Sequence, residues 1–559
     1  MTATTPVPLL TLGPNGEKLF PTLTAAQLER VADHGRARPT KRGEILVEAG
    51  TSNVPMFVVL SGTIEIVRVS DVGETLLAVY HPGQFTGEIN LLSGRRALVR
   101  IRAGEGGEVI EVSRENLQGL VQSDGEFSEI FMRTFILRRL ELINQGISDV
   151  VVVGSTHCSG TLRVREFLTR NGHPYAYIDL DREEAFQETL DQFKITASDV
   201  PVVIWRGDVI LRNPSIRQIA DCLGYNDAVD ESHLRDCVIV GAGPSGLAAA
   251  VYAASEGVDV LVVEATAPGG QAGSSSRIEN YLGFPMGISG QELAGRAYAQ
   301  SQKFGADLMI AKNATKLSCA RTPYAIEIDD QAKIATRTVI IATGAEYRKL
   351  SLPDMSRFEG AGIYYGATFM EAQLCSGEEV IVVGGGNSAG QAAVFLAQST
   401  KHVHVLIRSE GLKETMSRYL ISRIEGSKAI TLHTHTELTE LAGDYHLESV
   451  RWKNRKTGEE QSPPIRHVFV MAGAAPSTKW LAGCVAMDAK GFIRTGPDLT
   501  QDDLAAAKWP LARRPHLLET SLPGVFAVGD VRAGNVKRCA SAVGEGSIAV
   551  SFVHQVLHE

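Results

Sequence analysis

Residues 236–264, DCVIVGAGPSGLAAAVYAASEGVDVLVVE, constrain the fold more than any other stretch of the chain. Two short apolar runs enclose Gly241-x-Gly243-x-x-Gly246 and an Ala-rich helical pattern. The glycines permit a tight turn and close approach of the backbone to a pyrophosphate, and the helix N-terminus offers N–H groups to that anion. Glu264, at the end of the second run, can accept hydrogen bonds from ribose hydroxyls. The stretch therefore predicts a strand, turn, helix and strand unit that binds a dinucleotide.

The composition indicates a globular chain of several domains. Its 559 residues suffice for about three or four domains, and 44% apolar with 21% charged residues is ordinary for a chain that buries cores. No uninterrupted apolar run reaches bilayer length, and the N-terminus, MTATTPVPLL, lacks a basic region and a long apolar core. We therefore expect a cytoplasmic protein that does not associate with membranes. The net charge of −9 argues against a nucleic acid partner.

The cysteines are odd in number and widely scattered. Their arrangement argues against a disulfide scaffold, and because no two form Cys-x-x-Cys, it also argues against a local zinc or dithiol site. The sequence thus predicts no metal site. The seven cysteines lie at positions 158, 222, 237, 319, 375, 484 and 539.

Residues 1–142 begin with short strands punctuated by turns and end in a helical pattern over 114–143. This order favours a small β-roll with a helix packed on it. The segment resembles the cyclic-nucleotide-binding domain family, in which a Gly-Glu pair and an Arg hold the ligand. The resemblance implies that Gly87, Glu88 and Arg96 contact a cyclic nucleotide. Since no hydroxylated residue follows Arg96, the alternative is a degenerate sensor or dimerisation module.

Residues 148–226 form a separate α/β pattern: strand, amphipathic helix, strand, a hairpin with its turn at 206–208, and a closing helix. With Pro201 just before the hairpin, this order resembles the glutaredoxin/thioredoxin fold, in which that proline is cis. Cys158 lies where the family places its first redox cysteine, and Thr161 replaces the second. Cys158 is therefore a candidate catalytic thiol, and the alternative is a docking or spacer module with an incidental thiol.

From about residue 234 to the end, the chain resembles thioredoxin reductase and related low-molecular-weight flavoproteins. The ordered motifs GGQ, RIENYLGFP, VIIATG, GVFAVGDV and VKRCASAVGEGSIAV carry the resemblance. It implies an FAD domain split between 234–350 and 482–559, a hinge to the inserted domain, and a homodimer. It also implies FAD contacts by Gly241, Gly243, Gly246, Glu264, Gly270, Gln271, Asn280, Gly344, Gly529, Asp530 and Ala540.

Residues 353–480, inserted between these halves, contain a second strand, Gly-rich turn and helix. The next strand leads to Arg408, where an acid would favour NAD. Because Arg can pair with a 2′-phosphate and Lys413 can add to it, we expect NADPH rather than NADH. The predicted NADPH contacts are Gly384, Gly386, Asn387, Ser388, Ala389, Arg408 and Lys413.

The sequence differs from the thioredoxin reductase family at the redox dithiol. The positions that hold the two cysteines in thioredoxin reductases are here Gly366 and Phe369, Cys375 is expected to be a small buried residue, and Cys539 has no sequence-local partner. We therefore expect an NADPH-dependent FAD oxidoreductase whose acceptor is not an internal dithiol. Electrons would leave through Cys158, a docked redox protein, as in ferredoxin(flavodoxin)–NADP reductases, or oxygen or a quinone. The competing hypothesis is a sensor in which flavin state or NADPH occupancy changes the N-terminal module.

The sequence thus predicts an α/β chain with two Rossmann-like dinucleotide-binding domains. An N-terminal β-roll with helices and a small thioredoxin-like α/β domain precede them.

Overall fold

The structure of the protein, a computed structural model, describes residues 16–70, 73–144, 148–181, 196, 199–206, 209–226, 230–329 and 332–559. Within these ranges the strands form six sheets. No helix of the described residues combines the length and apolar character needed to cross a bilayer.

The N-terminal sheet and its helices form a roll module. Its sheet has the order β1-β5-β3-β4, with β2 on β5. The helix expected over 114–143 is two helices, because the Asp124 carboxylate accepts hydrogen bonds from the N–H groups of Glu126 (2.9 Å) and Phe127 (3.2 Å) and starts a new helix. The elements are β1 (Arg36–Thr40), β2 (Ile45–Val47), β3 (Met56–Ser70), β4 (Gly73–Tyr80), β5 (Arg100–Val112), α1 (Gly16–Leu19), α2 (Ala25–Ala32), α3 (Asn90–Ser93), α4 (Arg114–Ser123) and α5 (Gly125–Asn144).

The next sheet belongs to a small α/β module, in the order β7-β6-β8-β9. The predicted hairpin is confirmed by the antiparallel pairing of β8 with β9, although residues 207–208 of its turn lie outside the described residues. The Val200–Pro201 bond is cis, as the resemblance implies. The elements are β6 (Val150–Gly154), α6 (Ser159–Arg170), β7 (Ala176–Asp179), β8 (Val202–Trp205), β9 (Val209–Arg212) and α7 (Ile216–Cys222).

The third region contains the first nucleotide-binding pattern, and we call it the first unit. It is built on a sheet of order β12-β11-β10-β15-β14-β13. β12, β11, β10 and β15 run parallel, so apolar β10 and β11 are covered on both faces, and β14 and β13 continue antiparallel. The elements are β10 (Leu234–Val240), α8 (Pro244–Ser255), β11 (Val260–Glu264), α9 (Gly270–Gly273), α10 (Gly290–Lys303), β12 (Asp307–Ile310), β13 (Ala314–Ser318), β14 (Tyr324–Ile328), β15 (Ala332–Ile341) and β16 (Ala345–Tyr347).

The chain then forms a second unit and returns. The second unit has a parallel sheet, β17-β24-β18-β19-β20, and a three-stranded antiparallel sheet, β21-β22-β23. On the way back β25 pairs with β16, and β26 joins the first unit's sheet beside β15. The elements are β17 (Ile363–Tyr364), α11 (Phe369–Leu374), β18 (Glu379–Val383), α12 (Asn387–Leu396), β19 (His402–Leu406), α13 (Arg418–Gly426), β20 (Ile430–His433), β21 (Thr436–Gly443), β22 (Leu447–Asn454), β23 (Glu460–Gln461), β24 (His467–Val470), β25 (Ala474–Pro476), α14 (Gln501–Ala506), β26 (Val525–Ala527) and α15 (Cys539–His558).

One disulfide corrects the expectation from the cysteine spacing. Cys319, after β13, is bonded to Cys484, just after the chain re-enters the first unit, at a sequence separation of 165. The bond therefore joins the two halves of the first unit across the whole inserted second unit. Sequence spacing missed it because the two cysteines meet only after the split unit has folded.

The small module shares its core with the first unit. Ile310 and Ala311, at the end of β12, are fully buried in the apolar cluster formed by Val164, Phe167 and Leu168 of α6. The Asn226 side chain also donates to the Ile310 carbonyl (2.8 Å) and accepts from its N–H (2.7 Å). The two regions thus pack as one body.

The small module also contacts the roll module. The Arg206 side chain donates hydrogen bonds to the carbonyls of Ala49 (2.8 Å) and Ala97 (3.1 Å). The hairpin of the small module is therefore anchored on the roll beside the segment predicted to bind a cyclic phosphate.

Candidate active site

The turn between β10 and α8 admits only glycine at two of its three motif positions. A Cβ on Gly241 would lie 2.4 Å from the Ala342 carbonyl oxygen, and one on Gly246 would lie 1.9 Å from the Gly241 carbonyl oxygen. Gly243 is the N-cap of α8, and Pro244 occupies its first turn. The first free N–H groups of α8 therefore face an open, glycine-lined turn, which is the geometry that binds a pyrophosphate.

Glu264 ends β11 as predicted, but its carboxylate has a further task. It accepts hydrogen bonds from the N–H groups of Ala242 (2.7 Å), Thr266 (2.8 Å) and Ala267 (3.1 Å). Because a carboxylate has about four acceptor positions, a ribose hydroxyl can still bind to it. The sequence motif did not predict this structural role, in which the Glu264 carboxylate fixes the Gly-rich turn against the end of β11.

The C-terminal half of the first unit brings Asp530 and α15 to the same side of the sheet. Burial raises the pKa of Asp530, and its carboxyl group has no hydrogen-bond partner among the described residues. Glu545, which sequence reasoning did not select, accepts from the Gly529 N–H (2.7 Å) and from Arg532 (2.6 Å) and so fixes the turn that carries Asp530. Ala540 lies in the first turn of α15.

The remaining predicted residues of the first unit lie near its crossings to the second unit. The Gln271 side chain donates to the Ala345 carbonyl in β16. Gly270 packs against Gly243, and a Cβ on Gly270 would lie 3.0 Å from the Gly243 Cα. The Gly344 carbonyl accepts from the N–H of Ser477 (3.2 Å), so the two crossings touch. Asn280 is exposed and makes no hydrogen bond within the described ranges.

The second unit repeats the turn with one change. A Cβ on Gly384 would lie 2.5 Å from the Met471 carbonyl oxygen, whereas Gly386, the N-cap of α12, has open space around it. Ala389 is fully buried against Gly384. The Asn387 side chain accepts from the Ser417 N–H (2.7 Å) and fixes the start of α13 beside the turn.

Arg408 and Lys413 follow β19 on the same side as this turn. Both side chains are exposed, and neither makes a hydrogen bond or an ion pair to another described residue. Their charges are therefore free to bind an anion at the carboxyl end of β19.

A cavity of about 300 Å³ lies between the two units. Gln271 lines it from the first unit, and Tyr365, Gly366 and Ser388 line it from the second. Tyr347 of β16 also faces it, and burial raises the pKa of this phenol. The cavity is thus bounded by residues predicted to bind each of the two nucleotides and by Gly366, one of the two positions predicted to replace the redox cysteines.

The free cysteines differ in reactivity. Burial raises the pKa of both Cys237 and Cys375 to about 12, which excludes them as thiolates at neutral pH. Burial and the charge of Asp530 raise the pKa of Cys539. Cys158 is the N-cap of α6 and is half-buried, with its Sγ 3.9 Å from the Val200 carbonyl oxygen.

Around Cys158, the small module touches the second unit. A Cβ on Gly360 would lie 2.7 Å from the Ser159 Cβ, and the ring of His157 lies 6.1 Å from that of His446. At the other end of the same helix, Arg170 donates to the Gly270 carbonyl (2.9 Å) of the first unit. Helix α6 therefore bridges the two units, with Cys158 at the end nearer the second.

The residues predicted to bind a cyclic nucleotide make contacts within the protein. Arg96 donates to the Cys222 carbonyl (2.9 Å) at the end of α7 and lies over the Trp205 ring. The Glu88 side chain lies 3.8 Å from Arg139, and the Gly87 carbonyl accepts from Arg138 (2.8 Å). In this structure Arg96 serves to hold the small module, so its predicted role would require it to leave that carbonyl.

The described residues contain no cluster of three or more His, Cys, Asp and Glu side chains able to hold a metal ion.

Three family models match successive parts of the chain. Residues 37–124 match the cyclic nucleotide-binding domain, and residues 150–210 match glutaredoxin. Residues 235–546, more than half of the chain, match the model described as pyridine nucleotide-disulphide oxidoreductase.

Known thioredoxin reductases are similar to the same C-terminal part. The chain is 33% identical over 325 residues to one from Ureaplasma parvum, which covers 58% of this chain and 96% of that protein. It is 29% identical over 368 residues to NADPH-dependent thioredoxin reductase 3 of Arabidopsis thaliana, covering 63% of this chain and 65% of that one. It therefore spans about two thirds of the Arabidopsis protein. The crystal structure of Lactococcus lactis thioredoxin reductase has a TM-score of 0.52 at 29% identity, covering 58% of this chain and 100% of that one.

Proposed function

The chain belongs to the pyridine nucleotide-disulphide oxidoreductase family, and we propose that it transfers a hydride from NADPH to FAD and passes the electrons to an acceptor other than an internal dithiol. The observation that carries the proposal is the cavity between the two units. It is bounded by Gln271, which follows the Gly270 turn of the first unit, and by Ser388, which follows the Gly386 turn of the second. The two predicted nucleotide sites would therefore open into one space.

FAD fits the first unit. The glycine turn and the free N–H groups of α8 would hold its pyrophosphate, and Glu264 would accept from its adenosine ribose. The unpartnered carboxyl group of Asp530 would hold a hydroxyl of the ribityl chain, and the start of α15 with Ala540 would lie beside the flavin ring. Asp530 is half-buried, and the nearby charge of Lys537 opposes the effect of burial on its pKa. A hydroxyl at this place would supply the hydrogen bond that the carboxyl group lacks.

NADPH fits the second unit. The turn at Gly384 and Gly386 would hold the pyrophosphate, with Asn387, Ser388 and Ala389 shaping the start of α12. The unpaired charges of Arg408 and Lys413 would bind the 2′-phosphate, since no acid ends β19 to accept a ribose hydroxyl pair.

With both cofactors bound, the nicotinamide supplies a hydride and the flavin accepts it as a two-electron carrier. The protein's task is to hold the two rings in contact and to exclude water, for which no acid, base or nucleophile is required. Tyr347 and Tyr365 line the cavity where the two units meet and would limit access of water to it.

The outlet for electrons is the finer part of the proposal. Gly366 lies at the cavity where a dithiol reductase would carry a cysteine, and the raised pKa values of Cys375 and Cys539 disfavour them as replacements. The remaining half-buried cysteines outside the disulfide are Cys158 and Cys222. Cys222 ends α7, whereas Cys158 lies at the N-terminus of α6 and is the candidate that the helix favours as a thiolate. The alternative acceptors are a docked redox protein, as in ferredoxin(flavodoxin)–NADP reductases, or oxygen or a quinone.

Anaerobic stopped-flow absorbance tests the proposal. Stoichiometric NADPH should bleach the flavin of the full-length protein, and oxidised thioredoxin, glutathione disulfide, ferredoxin and a quinone are then added separately. Recovery with a disulfide that disappears in Cys158→Ser, and persists in the matched variant Cys222→Ser, assigns the outlet to Cys158. If NADPH does not bleach the flavin, the proposed hydride transfer is wrong.

A second candidate function is a sensor, favoured by the contacts of the roll module. Arg96 holds the small module, and Arg95 donates to Tyr298 of the first unit (2.6 Å). A change at the roll would therefore reach the first unit directly. The sensor hypothesis predicts that reducing the flavin changes ligand or partner binding by the roll, whereas turnover with every acceptor stays at the oxygen background.

A further inference from the structure

A second cavity, of about 280 Å³, lies where the roll module, the small module and the first unit meet. Arg95 lines it from the roll, Tyr225 from the small module, and Tyr298 and Gln302 from the first unit. None of these residues belongs to the cavity between the two nucleotide units. The second cavity is therefore a separate space.

Arg95 is a buried cation without a counterion. Its side chain is 6% exposed, and its guanidinium lies 4.1 Å from the centre of the Tyr225 ring and 5.4 Å from that of Tyr298. Its hydrogen bond goes to the Tyr298 hydroxyl (2.6 Å), and no carboxylate among the described residues pairs with it. A buried charge left unpaired is costly, so an anion at this place would be strongly favoured.

A second polar group in the wall has no partner. Gln302 is 4% exposed, and its side-chain amide makes no hydrogen bond to any described residue. Its amide atoms are not sealed off from solvent, so they face the cavity and are open to a ligand. The hydroxyl of Tyr225, which also lines the cavity, is buried and has no hydrogen-bond partner among the described residues. Since buried polar groups are almost always hydrogen-bonded in native proteins, this hydroxyl beside an unpaired guanidinium is a second, independent indication of a missing ligand.

The other charges of the wall leave Arg95 free. Asp307 is paired with Arg235 (2.9 Å), and Asp230 accepts from the Ser232 N–H (2.9 Å) and hydroxyl. Within the described part of the chain, Arg114 donates to the Leu92 carbonyl (3.0 Å) and the Asn53 side chain and to no carboxylate. The rest of the wall includes the apolar side chains Leu261, Leu308, Met309 and Ile334.

We propose that this cavity binds a small organic anion, a carboxylate or phosphate monoester with a compact apolar body. Its charged group binds Arg95, with Arg114 nearby, and its second polar group pairs with the amide of Gln302. Because the wall comes from three parts of the chain, the bound anion stabilises their junction.

Isothermal titration of the full-length, flavin-loaded protein at fixed ionic strength tests this. The probes are phosphoenolpyruvate, citrate and inorganic phosphate, which separate the carboxylate, the phosphate ester and the bare anion. We expect at least one organic anion to bind with a millimolar or lower Kd. Arg95→Gln should weaken it by about a hundredfold and Gln302→Met by about tenfold, as for a charged and a neutral hydrogen bond.

Gln302→Met keeps the test valid if Arg95→Gln fails to fold. Because the amide is unpartnered without ligand, its replacement should leave the melting temperature of the free protein unchanged or higher. The matched control is Arg100→Gln in the same module, whose side chain pairs with Glu48 (3.0 Å) away from the cavity. The proposal is overturned if no probe binds, or if Arg95→Gln and Gln302→Met bind as tightly as the Arg100→Gln control.

Discussion

The two nucleotide units share a strand, turn and helix, and they differ most at the end of the strand that follows. In the first unit, the Glu264 carboxylate is buried and holds three backbone N–H groups. In the second unit, Arg408 is exposed and pairs with nothing described. The residue at the end of this strand thus stabilises the fold in the first unit, whereas in the second unit its side chain is available to bind a ligand. Four predictions test this contrast, in order of decreasing effect.

Alanine substitution should destabilise the glycine-rich turn of the first unit far more than that of the second unit. Gly246→Ala places a Cβ about on top of the Gly241 carbonyl oxygen, whereas Gly386→Ala enters open space at an extended backbone. We expect Gly246→Ala to lower the free energy of unfolding by at least about 3 kcal/mol and to lose the flavin. Gly386→Ala should change it by less than about 0.5 kcal/mol. Absorbance at the flavin band per protein and urea midpoints measure both, and full flavin occupancy in Gly246→Ala would contradict the close packing of the first turn.

The first unit alone carries a covalent cross-link between its halves. Replacing both Cys319 and Cys484 by Ser should reduce the free energy of unfolding by about 3 kcal/mol, since a long loop is no longer closed in the unfolded chain. The urea midpoint of the double variant should equal that of the reduced parent protein. Cys222→Ser is the control and should behave as the parent; an unchanged midpoint in the double variant would mean that the bond does not stabilise the unit.

The second unit should be the more sensitive to acid. Burial lowers the pKa of His467 in β24 to about 4, opposed by Glu378. Because the unfolded chain takes up the proton first, this part of the stability is present above about pH 6.5 and is lost as the pH falls toward 4. At pH 5 the loss should be about 2 kcal/mol relative to pH 8. His467→Gln should therefore reduce the slope of the urea midpoint against pH relative to the parent protein, and an unchanged slope would contradict this role of His467.

Arg408 should affect ligand binding without affecting the fold. Arg408→Ala should raise the KM for NADPH by about tenfold, because one charge-assisted contact to phosphate is lost. The KM for NADH should stay unchanged. The melting temperature should stay that of the parent because Arg408 has no partner to lose. Steady-state kinetics with both nucleotides checks this, and equal rises for NADPH and NADH would refute a 2′-phosphate contact. Arg418→Ala, on the nearby α13, is the matched control.

Local patterns predicted the parts of the molecule that depend on local chemistry. The glycine turns, the hairpin of β8 and β9 and the burial of Cys375 follow from short-range sterics and periodicity, and the structure confirms them. The single helix over 114–143 was wrong because periodicity does not register the capping of a new helix by Asp124. These features lie within a few residues of their causes.

The features that the sequence did not predict join residues far apart in the chain. The Cys319–Cys484 bond, the support of Asp530 by Glu545 and the contact of Arg95 with Tyr298 each require the packed modules. Arg96 shows the same limit, because its motif indicates a phosphate ligand whereas its observed partner is the carbonyl of Cys222. Pairings of this kind depend on tertiary packing, which spacing in one sequence does not specify.

The burial of Ile310 inside the small module has a consequence for how this chain can be divided. The sequence suggests a clean cut near residue 230, between a thioredoxin-like piece and a reductase. Such a cut would expose Ile310 and Ala311 of the first unit to water. It would also remove these two side chains from the apolar core of the small module. The two pieces are sequential in the chain but inseparable in space, so the smallest fragment that keeps this surface intact begins at the first strand of the small module.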